Sequence, residues 1–166
     1  MAQAIILMGV SGSGKTTIGQ SLSRSLGWPF YDADDFHPPA NVERMRRGIA
    51  LTDEERQPWL AALARLIEET LGAEQSLVLA CSALKAAYRE ALMPRGANAD
   101  DVRFVYLRVP AEVAAARISN RRGHFMPASL VPSQFAALEE PADATVINAT
   151  QSPDAIVAEI RRTLSL

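Results

Sequence analysis

The sequence predicts an α/β protein in which a parallel β-sheet is covered by helices on both faces. Three observations carry this. Short apolar runs alternate with amphipathic helical segments along the chain. The run Leu77-Val78-Leu79-Ala80-Cys81 is continuously apolar, as a central parallel strand buried on both faces has to be. The first run, Ala4 to Met8, leads directly into a glycine-rich loop and then a helix. Crossovers between parallel strands are right-handed.

The glycine-rich loop reads Gly9-Val10-Ser11-Gly12-Ser13-Gly14-Lys15-Thr16 and matches the phosphate-binding pattern G-x-x-x-x-G-K-[ST] at every fixed position. Its glycines let successive N–H groups turn inward around phosphate oxygens, with the positive end of the next helix behind them. Lys15 is expected to reach the outer phosphates, and the Thr16 hydroxyl to be a ligand of the magnesium ion that accompanies a nucleoside triphosphate. A chance glycine turn is the alternative, and the strand before the loop and the amphipathic segment after it argue against that.

The elements follow in order. Ile18, Leu22 and Leu26 mark a helix stopped by Gly27, and Trp28 to Tyr31 reads as a short second strand that delivers Asp32, Asp34 and Asp35 to its C-terminal end. Val42, Met45 and Ile49 mark a short helix opening near Pro38-Pro39 and closed by Gly48. Thr52 and Glu55 form a capping-box pattern ahead of the stripe Trp59, Leu60, Leu63, Leu66, Ile67 and Leu71. After the central strand, Ser82 to Met93 is expected to be helical, Pro94 to Asp101 is loop, and Arg103 to Val109 is the fourth strand. Pro110 opens a helix with Val113 and Ile118 facing inward and with Arg117 and Arg121 on one face. A further helix carries Leu130, Val131, Phe135 and Leu138; Thr145 to Asn148 is the last strand, and Ser152-Pro153 caps a final helix.

A length of 166 residues fits one domain, 1–166, and the 48% hydrophobic and 22% charged fractions are those of a folded globular chain. A formal charge of -2 argues against a surface built for nucleic acid. No apolar run approaches membrane-spanning length, and the first strand begins too early for a signal peptide, so no membrane partner and a cytoplasmic location are expected. Cys81, the single cysteine, excludes an intrachain disulfide and reads as a small buried residue rather than a reactive thiol.

Beyond the loop, Asp32 and Asp34 lie one strand away with carboxylates at alternate positions, suited to holding a metal and to accepting a proton from a substrate hydroxyl. The central strand ends without an aspartate, which leaves Asp32 the nearest candidate for the metal. Arg117, Arg121 and Arg122 form a basic cluster from which an arginine could cover a triphosphate, the alternative being a solvated helix end favoured by the macrodipole. His37 and His124 are expected to contact substrate or form hydrogen bonds, since no cysteine stands near either to build a zinc site. Arg56, Lys85 and Arg89 fall beside strand ends, where fixed donors would hold a substrate carboxylate.

These residues together resemble the gluconate kinases of the small phosphate-loop type, related to shikimate and nucleoside monophosphate kinases. The resemblance runs nearly end to end, through the loop from Met8 to Thr16, Asp32-Ala33-Asp34 with His37-Pro38 and Asn41, and Leu51-Thr52-Asp53 with Arg56 and Pro58-Trp59-Leu60. It continues through Cys81-Ser82-Ala83-Leu84-Lys85 with Tyr88-Arg89, Arg121 with Gly123-His124-Phe125, and Ser133-Gln134-Phe135 with Leu138-Glu139. It implies a three-layer P-loop NTPase fold with strand order 2-3-1-4-5, a helical lid near residues 117–130, and conversion of ATP and D-gluconate to ADP and 6-phospho-D-gluconate. In that reading Gly9 to Thr17, Arg117 and Arg121 bind nucleotide, Thr16 and Asp32 bind Mg2+, and Lys15, Asp34 and Arg121 are catalytic. Asp34, His37, Arg56, Lys85, Arg89 and His124 bind the sugar acid. Residues 148–152 lie near adenine, and a homodimer is allowed. Pro132 departs from the pattern, which has a non-proline there.

Shikimate kinase is the nearest rival, but it is expected to carry a glycine-rich turn where this chain has Cys81-Ser82-Ala83. An adenylyl-sulfate or nucleotide kinase leaves Trp59 and the Ser82 to Lys85 block unexplained. A guanine-nucleotide switch needs an N-K-x-D segment, which the chain lacks.

Overall fold

The computed structural model describes residues 1–121 and 127–166. Five strands, β1 (Ala4–Met8), β2 (Phe30–Asp32), β3 (Leu77–Ala80), β4 (Val102–Arg108) and β5 (Thr145–Asn148), form one parallel sheet in the order β2-β3-β1-β4-β5. The helices of the described residues are α1 (Lys15–Leu26), α2 (Pro39–Arg46), α3 (Asp53–Gly72), α4 (Ala86–Leu92), α5 (Ala111–Ser119), α6 (Val131–Ala137) and α7 (Pro153–Leu164). One-turn 3-10 helices stand at Ala33–Phe36 and Ala128–Leu130. This is the fold class and strand order expected from the sequence.

Alternation along each strand splits the core into two. Ile5, Leu7, Val105 and Leu107 face α1, α5 and α7, meeting Ile18, Leu22, Ala114, Ile118, Ile156 and Ile160. Ala4, Ile6, Met8, Leu77 and Leu79 face α3 and α4, meeting Leu60, Leu63, Ile67 and Leu92. Every residue of β1 is fully buried, as a central parallel strand requires. The chain leaves β1 toward β2 on one side and leaves the adjacent β3 toward β4 on the other, which opens a crevice at the C-terminal ends of these two strands.

Several elements differ from expectation, each for a local reason. β2 begins at Phe30 because Pro29 has no N–H to donate and Trp28 is engaged by Ser23, whose backbone carbonyl accepts from the Trp28 N–H at 3.2 Å. The helix expected from Ser82 starts only at Ala86: Ala83 adopts a left-handed φ of 45°, and the carbonyls of Ser82 and Leu84 accept from Gly9 N–H at 3.2 Å and Glu139 N–H at 2.8 Å. Ile49 lies beyond α2 and is exposed, and on α5 it is Ala114 rather than Val113 that is fully buried. Pro132 falls in the first turn of α6, where a missing N–H costs nothing. The Thr52–Glu55 capping box is present in full, Glu55 N–H to Thr52 Oγ1 at 3.2 Å and Thr52 N–H to Glu55 Oε2 at 2.8 Å.

Helix α1 packs directly against β2. A Cβ at Gly19 would stand 2.4 Å from Phe30 Cε2, so α1 seats against β2 only because residue 19 has no side chain. Gly19→Ala is expected to destabilise the fold by about 1–3 kcal/mol through overpacking, measured by urea denaturation.

Candidate active site

The phosphate loop closes the crevice at the end of β1. Gly12 and Gly14 take φ values of 83° and 99°, and a Cβ on Gly12 would lie 2.5 Å from the Ala114 carbonyl oxygen, so neither position tolerates a side chain. Lys15 Nζ donates to the carbonyls of Gly9 at 3.0 Å and Val10 at 2.9 Å. Burial pushes the Lys15 ammonium below the usual lysine range, while the charges of Asp34 and Asp32 pull it back up.

Asp32 ties the end of β2 to the loop. Its Oδ2 accepts from Thr16 Oγ1 at 2.8 Å and its Oδ1 from the Asp34 N–H at 3.0 Å, so it also caps the 3-10 turn that carries Asp34. Burial, then the neighbouring Asp34 charge, raises its carboxyl above the ordinary range. A hydroxyl and a carboxylate oxygen 2.8 Å apart fit adjacent corners of a magnesium octahedron, whose ligands at about 2.1 Å stand about 3.0 Å from one another. The ion's charge would also relieve the strain that raises Asp32.

The cleft, about 350 Å³ in volume, runs from this loop to a wall built by α3, α4 and the 3-10 turn. His37 stacks on Trp59 with centroids 4.2 Å apart and planes 12° from parallel, and Trp59 is fixed by its Nε1–H donating to Ala33 O at 2.7 Å. Burial pushes His37 down to about 4, so its imidazole is neutral through the physiological range. Arg56 Nη1 donates to the Tyr88 hydroxyl at 3.2 Å and to the Leu51 carbonyl. The Tyr88 hydroxyl in turn donates to Asp53, and Lys85 Nζ donates to Asp53 Oδ1 at 3.1 Å. Both cations approach the Tyr88 ring, Arg56 at 5.4 Å and Lys85 at 5.6 Å from its centroid. The Tyr88 and Lys85 hydrogen bonds hold the Asp53 carboxyl below the usual range.

A second cavity of about 270 Å³ lies on the other side of the loop, between α1, α5 and α7. Thr17, Arg117, Ala149 and Gln151 line it, which puts part of the segment 148–152 and Arg117 at one place. Arg117 donates to the carbonyls of Gly12 and Ser13 at 3.3 Å and Ala149 at 2.8 Å, bracing the loop through its main chain. Arg121 lines both cavities and so stands at their junction.

The crevice thus gathers Ser11, Gly12, Gly14, Lys15 and Thr16 of the loop with Asp32, Asp34, His37, Arg56, Lys85 and Arg121. Arg89, expected to hold substrate, lies elsewhere. Its guanidinium is buried under the segment after β3 and donates to the carbonyls of Ala83 at 2.8 Å, Leu84 at 3.2 Å and Glu139 at 2.9 Å. It fixes the loop that presents Lys85 and does not line the cleft. His124, with the central part of the expected lid, falls outside the described residues. Tyr88, Asp53 and Gln134 were not singled out as site residues. The signal for the first two was their spacing of three from Lys85 and Arg56 at the starts of α4 and α3.

The His37 shift generates a test. Its folded-state pKa is depressed, so the unfolded chain takes up a proton as pH falls below about 6.5 while the folded chain does not until about 4. Wild-type stability is therefore expected to fall across that window, and His37→Gln to show a shallower fall, read from urea melts at pH 7, 5.5 and 4.5.

The family model described as shikimate kinase matches residues 11–165. The chain is 45% identical to a gluconokinase of Gluconobacter oxydans over 163 residues, covering 95% of this chain and 89% of that protein. It is 42% identical to a gluconokinase of Arabidopsis thaliana, covering 95% of this chain and 90% of the other. Among solved structures, a gluconokinase from Sinorhizobium meliloti superposes with a TM-score of 0.84 at 39% identity, covering 98% of this chain and 91% of that one. Shikimate kinase from Aquifex aeolicus, at 22% identity and a TM-score of 0.65, shares the fold. Sequence and architecture agree with the geometry of the crevice: the chain belongs to the gluconokinase family of small phosphate-loop kinases, within the group the shikimate kinase model describes.

Proposed function

We propose that the protein transfers the γ-phosphoryl group of ATP to the terminal hydroxyl of D-gluconate, giving ADP and 6-phospho-D-gluconate. One observation carries the reading. A single cleft has a phosphate loop at one end and the Arg56–Tyr88–Lys85 group at the other, and the Asp34 charge is felt by Lys15 on the first side and by His37 on the second.

The roles follow from the chemistry of each group. The loop amides and Lys15 hold the outer phosphates, and Lys15 leaves its carbonyl partners to do so. The second cavity takes the adenosine end, beside Arg117 and residues 149–151. Thr16 and Asp32 would hold Mg2+, which would neutralise charge on the phosphates. The γ-phosphorus bond to the bridging oxygen breaks as the bond to the acceptor oxygen forms, and the hydroxyl proton passes to Asp34. In a loose transition state Asp34 contributes chiefly by orienting that hydroxyl. Arg121, at the junction of the cavities, faces the charge that spreads over the transferring group. Neutral His37 on its Trp59 platform offers a hydrogen bond to a sugar hydroxyl.

At the far end, Arg56 and Lys85 receive the carboxylate. The Lys85–Asp53 pair is largely exposed, so it stabilises little and readily exchanges one carboxylate for another. The site is built for a small monoanionic polyol. Ala83, at its left-handed φ, occupies the place where shikimate kinase is expected to use glycine. The reducing cytoplasm suits the buried Cys81, whose thiol burial pushes up to about 12, and no described helix is long and apolar enough to cross a membrane.

A coupled ADP-release assay over gluconate, shikimate and nucleoside monophosphates tests the assignment: turnover on gluconate well above the hydrolysis background is expected, and turnover confined to another acceptor overturns it. Lys15→Ala and Asp34→Asn should each lower kcat about a hundredfold or more. A near-normal rate in Asp34→Asn would remove that carboxylate from the transfer step.

A further inference from the structure

The anion-binding loop already holds an oxygen in this structure, and it comes from the protein. The Ser11 N–H donates to Gln134 Oε1 at 2.6 Å across a sequence separation of 123 residues. An N–H can be met only by an acceptor, so it is the oxygen of the amide that faces the loop. The contact is short for an N–H to a neutral acceptor, and it is made at an amide of the kind that binds phosphate oxygens in such loops.

Its place along the loop is informative. Ser11 lines the acceptor cleft and not the second cavity, whereas Ser13 lines the second cavity and not the cleft. Ser11 is therefore the end of the loop that faces the acceptor, where the outermost phosphate of a bound triphosphate lies. Gln134 reaches this point from α6 and lines the same cleft with Ser133 and Ala137. The far end of that helix is anchored on the acceptor side: the Glu139 N–H donates to Leu84 O at 2.8 Å, and Glu139 Oε1 accepts from the Ala86 N–H at 2.8 Å. These bonds flank Lys85. Gln134 is thus held between the loop that receives the donor and the segment that receives the acceptor.

We propose that Gln134 is a catalytic residue that contacts the transferring γ-phosphoryl group, its amide oxygen occupying at Ser11 N–H the place of an oxygen of that group. On nucleotide binding a γ-phosphate oxygen takes the Ser11 N–H, and the Gln134 amide N–H donors turn to the equatorial oxygens of the phosphoryl group. Glutamine suits both states, because its amide supplies an acceptor to the empty loop and donors to the loaded one. It makes no bond and takes no proton; it adds hydrogen bonds where charge spreads during transfer. The inference rests on the reading of ATP as donor and is independent of which acceptor is used.

Calorimetric titration of the full chain with magnesium and either ADP or a non-hydrolysable ATP analogue provides the test, since only the second carries the γ-phosphate. Gln134→Glu is expected to weaken the analogue by about tenfold or more while leaving ADP within about threefold, because a carboxylate holds Ser11 and repels the γ-phosphate. Gln134→Ala is expected to lower kcat about tenfold or more with ADP affinity and Tm nearly unchanged. Equal weakening of both nucleotides by Gln134→Glu, or an unaltered kcat in Gln134→Ala, overturns the proposal. Should wild-type protein ignore gluconate while the two nucleotides are still separated by Gln134→Glu, the acceptor assignment fails and this inference stands.

Discussion

The parallel ladder between β1 and β3 governs the geometry of the site. Leu7 pairs with Ala80, and the ladder continues past the strands, with Cys81 N–H donating to Leu7 O at 3.0 Å and Gly9 N–H to Ser82 O at 3.2 Å. The first residue of the phosphate loop and the first residues of the segment leading to Lys85 are therefore hydrogen-bonded neighbours. Donor and acceptor sites are brought together by backbone pairing in the most buried part of the molecule, where register cannot slip without turning Ile5 and Leu7 out of their core. Asp32, at the end of the next strand, completes a row of three strand ends, each contributing one part of the chemistry.

The charges at this row are arranged so that groups with opposite demands support one another. Lys15 is buried enough to lose affinity for its proton, yet Asp32 and Asp34 favour its charge; Asp32 is raised by burial and by Asp34, yet Thr16 and the Asp34 amide donate to it. Internal partners occupy several polar groups of the cleft. Carbonyls of the loop hold Lys15, Gln134 holds Ser11, and Asp53 holds Lys85 and Tyr88. A buried donor left unpaired would cost about 1–3 kcal/mol, so the contacts of Lys15 and Ser11, unlike that of the more exposed Lys85, reduce the penalty of keeping a polar cleft formed.

Much of this was legible in the sequence because the signals are local. The phosphate loop, the capping box and the alternation of β1 announce themselves within a few residues, and the strand order followed from resemblance. What escaped is tertiary. Arg89 has the residue type and position of a substrate ligand, but whether a guanidinium faces a cleft or three carbonyls depends on the path of residues 82–85 and on Glu139, fifty residues away. The same path undid the helix expected from Ser82: its carbonyls were claimed by Gly9 and Glu139, an assignment no periodicity reveals. Tyr88 and Gln134 read as ordinary helix residues until their partners, Asp53, Arg56 and Ser11, are brought beside them.

The missing side chain at Gly19 has a consequence beyond packing. By letting α1 lie against Phe30, it sets how near the first turn of that helix comes to the end of β2, and the 2.8 Å separation of Thr16 and Asp32 is inherited from that approach. The pairing of the Thr16 hydroxyl with the Asp32 carboxylate thus stands within about one helical turn of a position where a methyl group would not fit, so the polar end of the cleft and the hydrophobic core share one packing constraint.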